Sequence, residues 1–314
     1  MVLLKKNKEN WSFMEKINVG IACDDNYSQY AGVVIASILD NADKNSELCF
    51  YILDGGISEE NKNKIISLKS IKECDINFVQ INEEMFEEYK KIKTHAYISI
   101  ATYYRLKLAT LLPDIERIIY FDCDMVVNKD LAELYNIDFG ENIVAGVKDL
   151  NFRMLRKNPS YTNAGMLVMN LKKIKEKNIE AEFLEYTKAH IDTIKMGDQE
   201  IINEVLKGKI KILPDKWNVQ TSNFTNRSTY TNDPWIIHYV GKQKPWKFGN
   251  WNYHIEYYYK YLRLTPWKLD EKEEKEYLKK SFFAALTGYV KYRPLFMLRP
   301  RFYKAIWQTY ILRK

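Results

Sequence analysis

The chain has 314 residues, 46% of them hydrophobic, enough to bury the core of one large domain or of one domain with an appendage, which argues against wholesale disorder. Its formal net charge of +7 is uneven: Ser281 to Lys314 carries seven Lys or Arg and no Asp or Glu, while the rest of the chain balances 41 bases with 41 acids. The four cysteines, Cys23, Cys49, Cys74 and Cys123, form no CxxC pair, so neither a zinc knuckle nor a disulfide framework is indicated.

Met1 to Lys16 turns to charge directly after Val2-Leu3-Leu4, and no stretch approaches the roughly 20 apolar residues of a membrane-spanning helix. A cytosolic body with an N-terminal extension over 1–16 is expected. Ile17 to Cys23 is short, apolar and rich in β-branched residues, and the polar cluster Asp24-Asp25-Asn26 ends it, as for a buried strand. A helix over Tyr30 to Leu39 and a second strand over Leu48 to Leu53 follow, and Ser58 before Glu59 and Glu60 opens another helix. The third strand is Ile76 to Ile81. A helical stretch from Ile98 to Leu112 stops at Pro113 and leads into a strand over Arg117 to Phe121.

Further on come strands over Ile143 to Val147 and Gly165 to Asn170, a helix from Leu171 to about His190, a helix over Gln199 to Leu206, and a strand over Ile210 to Leu213. Strands alternating with helices predict an α/β fold on a mostly parallel sheet. After Trp267 the character changes to a charged, helix-prone stretch, Asp270 to Lys280, and then to the basic tail with its nine aromatics.

Ligands of open parallel sheets bind where the strands end. Asp122-Cys123-Asp124 stands at such an end, between Ile118-Ile119-Tyr120-Phe121 and Met125-Val126-Val127. Two carboxylates interrupting an apolar run are costly to bury unpaired. A divalent cation relieves that cost, since hard oxygen ligands suit manganese or magnesium, which in turn hold the phosphates of a nucleotide diphosphate. The alternative is a solvated Asp-rich turn. His238 ends the apolar run Trp235-Ile236-Ile237 and offers a third ligand; the following Gly241, Lys242 and Lys244 make a turn able to meet phosphate oxygens. His95, His190 and His254 have no motif around them and read as structural.

These residues, in order, resemble glycosyltransferase family eight, which includes bacterial lipopolysaccharide galactosyl- and glucosyltransferases and the glycogenins. The resemblance runs from about Ile17 to Leu262. It rests on Ala22-Cys23-Asp24-Asp25-Asn26-Tyr27, Tyr103-Tyr104-Arg105-Leu106, Tyr120 to Asp124, Asn163-Ala164-Gly165, Gly197-Asp198-Gln199, and His238-Tyr239 through Lys244-Pro245-Trp246. It implies a GT-A fold, a Rossmann-like mixed sheet flanked by helices, over 17–267. It also implies manganese held by Asp122, Asp124 and His238, a UDP-hexose donor, and transfer with retention of anomeric configuration.

Under the resemblance Asp24 and Asn26 would bond the uracil and ribose while Tyr27 stacks on the base. Arg105 would reach the donor, and Lys244 would neutralise the departing diphosphate. Asn163, Asp198 and Asp149 would meet the hexose, and Ala22, Cys123, Ala164 and Gly241 are donor-binding positions in the same blocks. Gln199 would lie nearest the anomeric carbon; an amide is a poor nucleophile, which favours a front-face reaction, with Asp149 or Asp198 as the alternative nucleophiles. Many relatives have Asp-Gln-Asp where this chain has Asp198-Gln199-Glu200, and Asn151 to Thr162, expected near the acceptor, shows no assignable pattern.

The tail, 281–314, suits an anionic membrane surface on the cytosolic side, and a glycan, glycolipid or glycoprotein acceptor is expected. Its own alternative is a helical pair packing its aromatics on the core. Nucleic acid is not an expected partner, because the positive charge is confined to one terminal segment. Competing functions are a nucleotidyltransferase on a related sheet, which lacks a P-loop here, and a noncatalytic nucleotide-sugar-binding membrane adaptor.

Overall fold

The computed structural model describes residues 16–93, 99–221, 233–250, 252, 254–292 and the single positions 295, 298, 300 and 303. Its strands are β1 (Ile17–Cys23), β2 (Leu48–Asp54), β3 (Asp75–Gln80), β4 (Arg117–Phe121), β5 (Met125–Val127), β6 (Val144–Lys148), β7 (Thr162–Asn170), β8 (Ile210–Ile212), β9 (Val219–Thr221) and β10 (Ile236–Tyr239). Its α-helices are α1 (Ser28–Asn41), α2 (Glu59–Ser67), α3 (Glu87–Lys90), α4 (Leu108–Leu111), α5 (Ala132–Tyr135), α6 (Phe152–Lys157), α7 (Leu171–Glu176), α8 (Ile179–His190), α9 (Asp198–Val205), α10 (Ile255–Leu262) and α11 (Glu271–Tyr292). The expectations for His95, for 1–15 and for the tail residues Arg293, Phe296, Arg299, Arg301, Lys304 and Trp307 lie outside the described residues.

Among the described residues the main sheet has seven strands in the order β3-β2-β1-β4-β7-β6-β8. β1 and β4 are apolar and buried apart from the half-buried Asn18 and Arg117, the composition of strands covered on both faces. The chain runs β1 to β2 to β3 towards one edge, then returns to place β4 on the other side of β1. That reversal between β1 and β4 is the crevice where open sheets take ligands.

One strand departs from the expected parallel arrangement. β7 runs antiparallel to both β4 and β6, with Phe121 opposite Met166. Its beginning, not its end, therefore meets the end of β4, which brings Asn163, Ala164 and Gly165 beside Asp122. A second sheet of β5, β10 and β9 pairs Met125 with His238 and continues through Tyr239 N–H to Asp124 O at 2.9 Å. Both sheets thus grow out of the Asp122–Asp124 corner.

Two predicted helices differ in detail. The stretch expected over Leu171 to His190 divides into α7 and α8 at Asn178, whose φ of 51° is left-handed, a conformation asparagine tolerates better than most residues. The stretch before Pro113 is a 3-10 run, Ile100–Lys107, closed by the single turn α4. Its consecutive residues Tyr103, Tyr104, Arg105 and Leu106 are all buried, which an amphipathic surface helix would not allow. His254 is buried, its ring held neutral as burial lowers its pKa to about 4, and its carbonyl accepts Tyr239 Oη–H at 2.6 Å. His190 stacks on Tyr186 at the end of α8.

α11 crosses the expected junction at residue 281 without a break. Leu278, Phe282 and Ala285 bury against Tyr258, Tyr259 and Tyr261 of α10, each large apolar group contributing about 1.5–3 kcal/mol of transfer free energy. The first turns of the basic segment therefore pack on the body. Phe283, Leu295 and Leu298 are 47%, 77% and 76% exposed. No helix among the described residues is long and apolar enough to cross a membrane.

Candidate active site

A cleft of about 340 Å³ opens at the carboxyl ends of β1 and β4. Its walls include Ala22, Asp24, Tyr27, Arg105, Asp122, Cys123, Asp124, Asp149, Asn163, Ala164, Asp198, Gln199, His238, Gly241 and Lys244. Asn26 is absent from its lining; it sits exposed on the 3-10 turn Asp25–Tyr27. Asp24 caps that turn, accepting the Tyr27 N–H at 3.0 Å, so it behaves here as an Asx turn while its residue still faces the cleft.

Asp122, Asp124 and His238 each offer a ligand atom, and the three atoms lie within 4.8 Å of one another. His238 Nε2 stands 3.1 Å from Asp124 Oδ1, yet that buried oxygen has no hydrogen-bond partner. Asp124 Oδ2 pairs with the Lys244 ammonium, which also donates to Tyr239 O at 2.7 Å. Burial pushes the Asp124 carboxyl up, but Lys244 and His238 outweigh it and hold the group below the usual carboxylate range. Two carboxylates, one with a buried oxygen that accepts no hydrogen bond, and one imidazole suit a divalent cation.

The imidazole is seated on a glycine. A Cβ at Gly165 would lie 2.2 Å from His238 Cε1 and 2.8 Å from Nδ1, so any side chain there would expel the ring. Gly165 O also accepts the Asp122 N–H at 2.8 Å. One residue of β7 thus fixes both the backbone of one candidate ligand and the ring of another.

Arg105 is 2% exposed and stays charged among carboxylates. It donates to Asp122 Oδ1 at 2.5 Å and to Ala164 O at 2.5 Å, its Nε is 3.1 Å from Asp198 Oδ2, and its guanidinium lies 4.2 Å from the Tyr120 ring centroid. Burial raises the Asp198 carboxyl to about 6, only partly offset by Arg105, and raises Asp122 for the same reason. Five aspartates and two fixed cations face this cleft. A nucleoside diphosphate would meet net repulsion there unless a metal ion accompanied it.

An amide network closes the far wall. Gln199 Oε1 accepts from Ala164 N–H at 3.1 Å and Asn163 Nδ2 at 3.3 Å, and its Nε2 donates to Asp149 Oδ2 at 3.2 Å. Asn163 Nδ2 donates to Asp149 Oδ2 at 3.0 Å, while Asn163 Oδ1 accepts from Gly165 N–H at 3.1 Å and Asn218 Nδ2 at 3.0 Å. Backbone N–H groups are donors only, so they fix which end of each amide is oxygen. Asp149 Oδ1 is also engaged, by Asn151 N–H at 2.6 Å.

Gly197 starts α9 at φ 58°, a left-handed conformation that suits glycine in the Gly197-Asp198-Gln199 block. Asn203 ties α9 to β7 through Thr162, bonding its N–H at 2.7 Å and its C=O at 2.8 Å. Asn218 and Asn203, both fully buried, were not singled out by sequence. Neither stands in a chemical motif, and the only signal is a polar residue beside an apolar run, as in Trp217-Asn218-Val219.

Residues 18–249 match the family description "Glycosyl transferase family 8". General stress protein A of Bacillus subtilis is 28% identical over 275 residues, covering 81% of this chain and 95% of that protein. The lipopolysaccharide 1,2-glucosyltransferase of Escherichia coli K12 is 27% identical over 281 residues, covering 83% and 82%. The crystal structure of the galactosyltransferase LgtC with donor and acceptor sugar analogues superposes with a TM-score of 0.69 at 28% identity, covering 83% of this chain and all of that one.

Proposed function

Because the chain belongs to glycosyl transferase family 8 and has its GT-A fold, we propose that it is a retaining hexosyltransferase that uses a UDP-hexose, glucose or galactose, with manganese, or magnesium in its place. The observation that carries the donor reading is the cluster of Asp122, Asp124 and His238 in a cleft too acidic to take a diphosphate by itself. The glucosyl- and galactosyl-transferring relatives supply the hexose class.

In this reading Asp122, Asp124 and His238 hold the cation, which when bound supplies Lewis-acid stabilisation of the departing diphosphate. Lys244, 2.7 Å from Tyr239 O, exchanges its Asp124 partner for a phosphate oxygen. Arg105 keeps Asp122 and Asp198 in place and neutralises them. Tyr27, 38% exposed at the cleft, stacks on uracil, with Asp24 beside the ribose. Asp149, Asn163, Asp198 and Gln199 contact the hexose hydroxyls.

The reaction proceeds on one face of the sugar. The bond from C1 to the UDP oxygen breaks as the acceptor oxygen bonds to C1, and the acceptor proton passes to the leaving phosphate oxygen. The engaged oxygens of Gln199 and Asp149, and the ion pair that holds Asp198 Oδ2 3.1 Å from Arg105 Nε, support this.

One incubation tests donor and route together. UDP-glucose and UDP-galactose are offered to the purified protein with manganese, and UDP release and intact protein mass are followed. Manganese-dependent release, lost with chelator, and an unmodified protein mass are expected. Absence of release from either donor removes the hexosyltransferase reading, and a glycosylated protein removes the front-face route.

Residues 17–267 form the catalytic body in this scheme, and 268–314 an appendage that brings it to the cytosolic face of an anionic membrane. A lipid-linked glycan, of the kind lipopolysaccharide assembly uses, is then the acceptor. The exposed Phe283, Leu295 and Leu298 support the contact. The full chain should co-sediment with phosphatidylglycerol vesicles and not with neutral ones, and a chain ending at Tyr292 should lose most of that binding. Equal sedimentation of the two chains would remove the membrane contact.

A further inference from the structure

The family match ends at residue 249, and α11 lies wholly beyond it. The loop that follows β10 lines the cleft with Gly241 and Lys244 and then runs to Gly249. Few of its backbone groups bond one another; Lys247 N–H to Lys244 O at 3.0 Å is one such turn. Much of what holds it comes from other elements. Trp246 stacks on Tyr30 of α1 with ring centroids 3.9 Å apart, and Tyr259 of α10 donates to Pro245 O at 3.2 Å.

α11 supplies the remaining side. Tyr277 Oη–H donates to Trp246 O at 3.1 Å, and Ser281 Oγ accepts the Gly249 N–H at 2.9 Å. The Tyr277 ring meets Phe248 edge-on at 5.8 Å, and a Cβ at Gly249 would touch Ala284 Cβ at 3.7 Å. Tyr277, Ser281 and Ala284 recur at i, i+4 and i+7, so one stripe of the helix lies along the loop. The neighbouring stripe, Leu278, Phe282 and Ala285, anchors that helix to the core.

From these contacts we infer that α11 is a strut of the donor site, with Tyr277 and Ser281 as positioning residues for the Lys244 loop. The inference rests on the UDP-donor reading above. Trp246 passes the support onward: it stacks on Tyr30, which meets Tyr27 edge-on at 5.3 Å. Both sides of the donor cleft, the Lys244 turn and the base-stacking Tyr27, therefore lean on one tryptophan whose carbonyl α11 holds. A loop released from the helix has to be ordered by the ligand, and affinity falls by that cost.

The test is calorimetric binding of UDP in the presence of manganese to the full chain carrying Tyr277→Phe and Ser281→Ala. These changes remove one hydroxyl each and leave the apolar packing intact. Losing two hydrogen bonds of ordinary net strength should raise Kd about tenfold. The melting temperature should stay close to that of the wild type, and Ser281→Thr, which keeps the acceptor oxygen, should bind UDP as the wild type does. Turnover at saturating donor should change much less than KM.

Unchanged UDP affinity in the double variant overturns the strut. If the double variant melts early, Ser281→Ala alone is measured, and a Kd equal to the wild type's overturns it equally. A wild-type chain that fails to bind UDP with manganese would instead remove the donor reading beneath the inference, and the inference with it.

Discussion

Replacing Asp122 and Asp124 together by asparagine is expected to lower kcat/KM for UDP-hexose about a thousandfold, the scale on which removal of preorganised charge stabilisation acts. The side-chain volumes barely change. Arg105 keeps Asp198 at 3.1 Å and Ala164 O at 2.5 Å, and Lys244 keeps Tyr239 O at 2.7 Å, so neither cation is left bare. The fold should survive and the calorimetric manganese signal should vanish. Full turnover in a folded double variant would remove the metal from the reaction and with it the mechanism proposed above.

The second large effect comes from a residue with no polar side chain. Gly165→Ala puts a methyl group 2.2 Å from His238 Cε1, with β7 held on both sides by β4 and β6 and unable to withdraw. The imidazole has to leave its seat. The manganese concentration for half-maximal activity should rise about 10- to 100-fold, as when the support of a metal ligand is lost, with a stability cost of about 1–3 kcal/mol from overpacking. Saturating manganese should restore much of the turnover. An unchanged manganese requirement in a folded Gly165→Ala protein would show that the ring is not a ligand.

Much of this site was readable because short-range rules coincide with it. Asp122 and Asp124 stand out as charges breaking an apolar run, and His238 closes another such run. β1 and β2 announce themselves as mostly apolar stretches with polar ends. What stayed hidden depends on pairing between distant segments. Nothing local says that β7 runs against its neighbours, yet that reversal sets Asn163 beside Asp122. Gly165 reads as a family position, and its reason, the ring lying against it, exists only in three dimensions.

Other misses have plainer causes. α10 carries Ile255, Tyr258, Tyr259 and Leu262 at i, i+3, i+4 and i+7, a helical stripe disguised because its two middle members are tyrosines. The segment from Asn151 to Thr162 gave no pattern because α6 buries none of its residues, so no hydrophobic period is written into it. Charge places the start of the basic segment at Ser281, whereas burial of Phe282 and Ala285 ties that point to the body. Composition marks where charge changes, and packing decides where an element ends.

The β6–β7 connection carries a consequence for how such enzymes diversify. It leaves from Asp149 and comes back to Asn163, and these two side chains are bonded to each other at 3.0 Å. The excursion between them is pinned at its base like a loop of thread tied in one knot. The residues of α6 at its tip are all unburied and can be exchanged while the knot keeps the wall of the cleft unchanged, so under the function proposed above a new recipient can be accommodated without rebuilding the donor side.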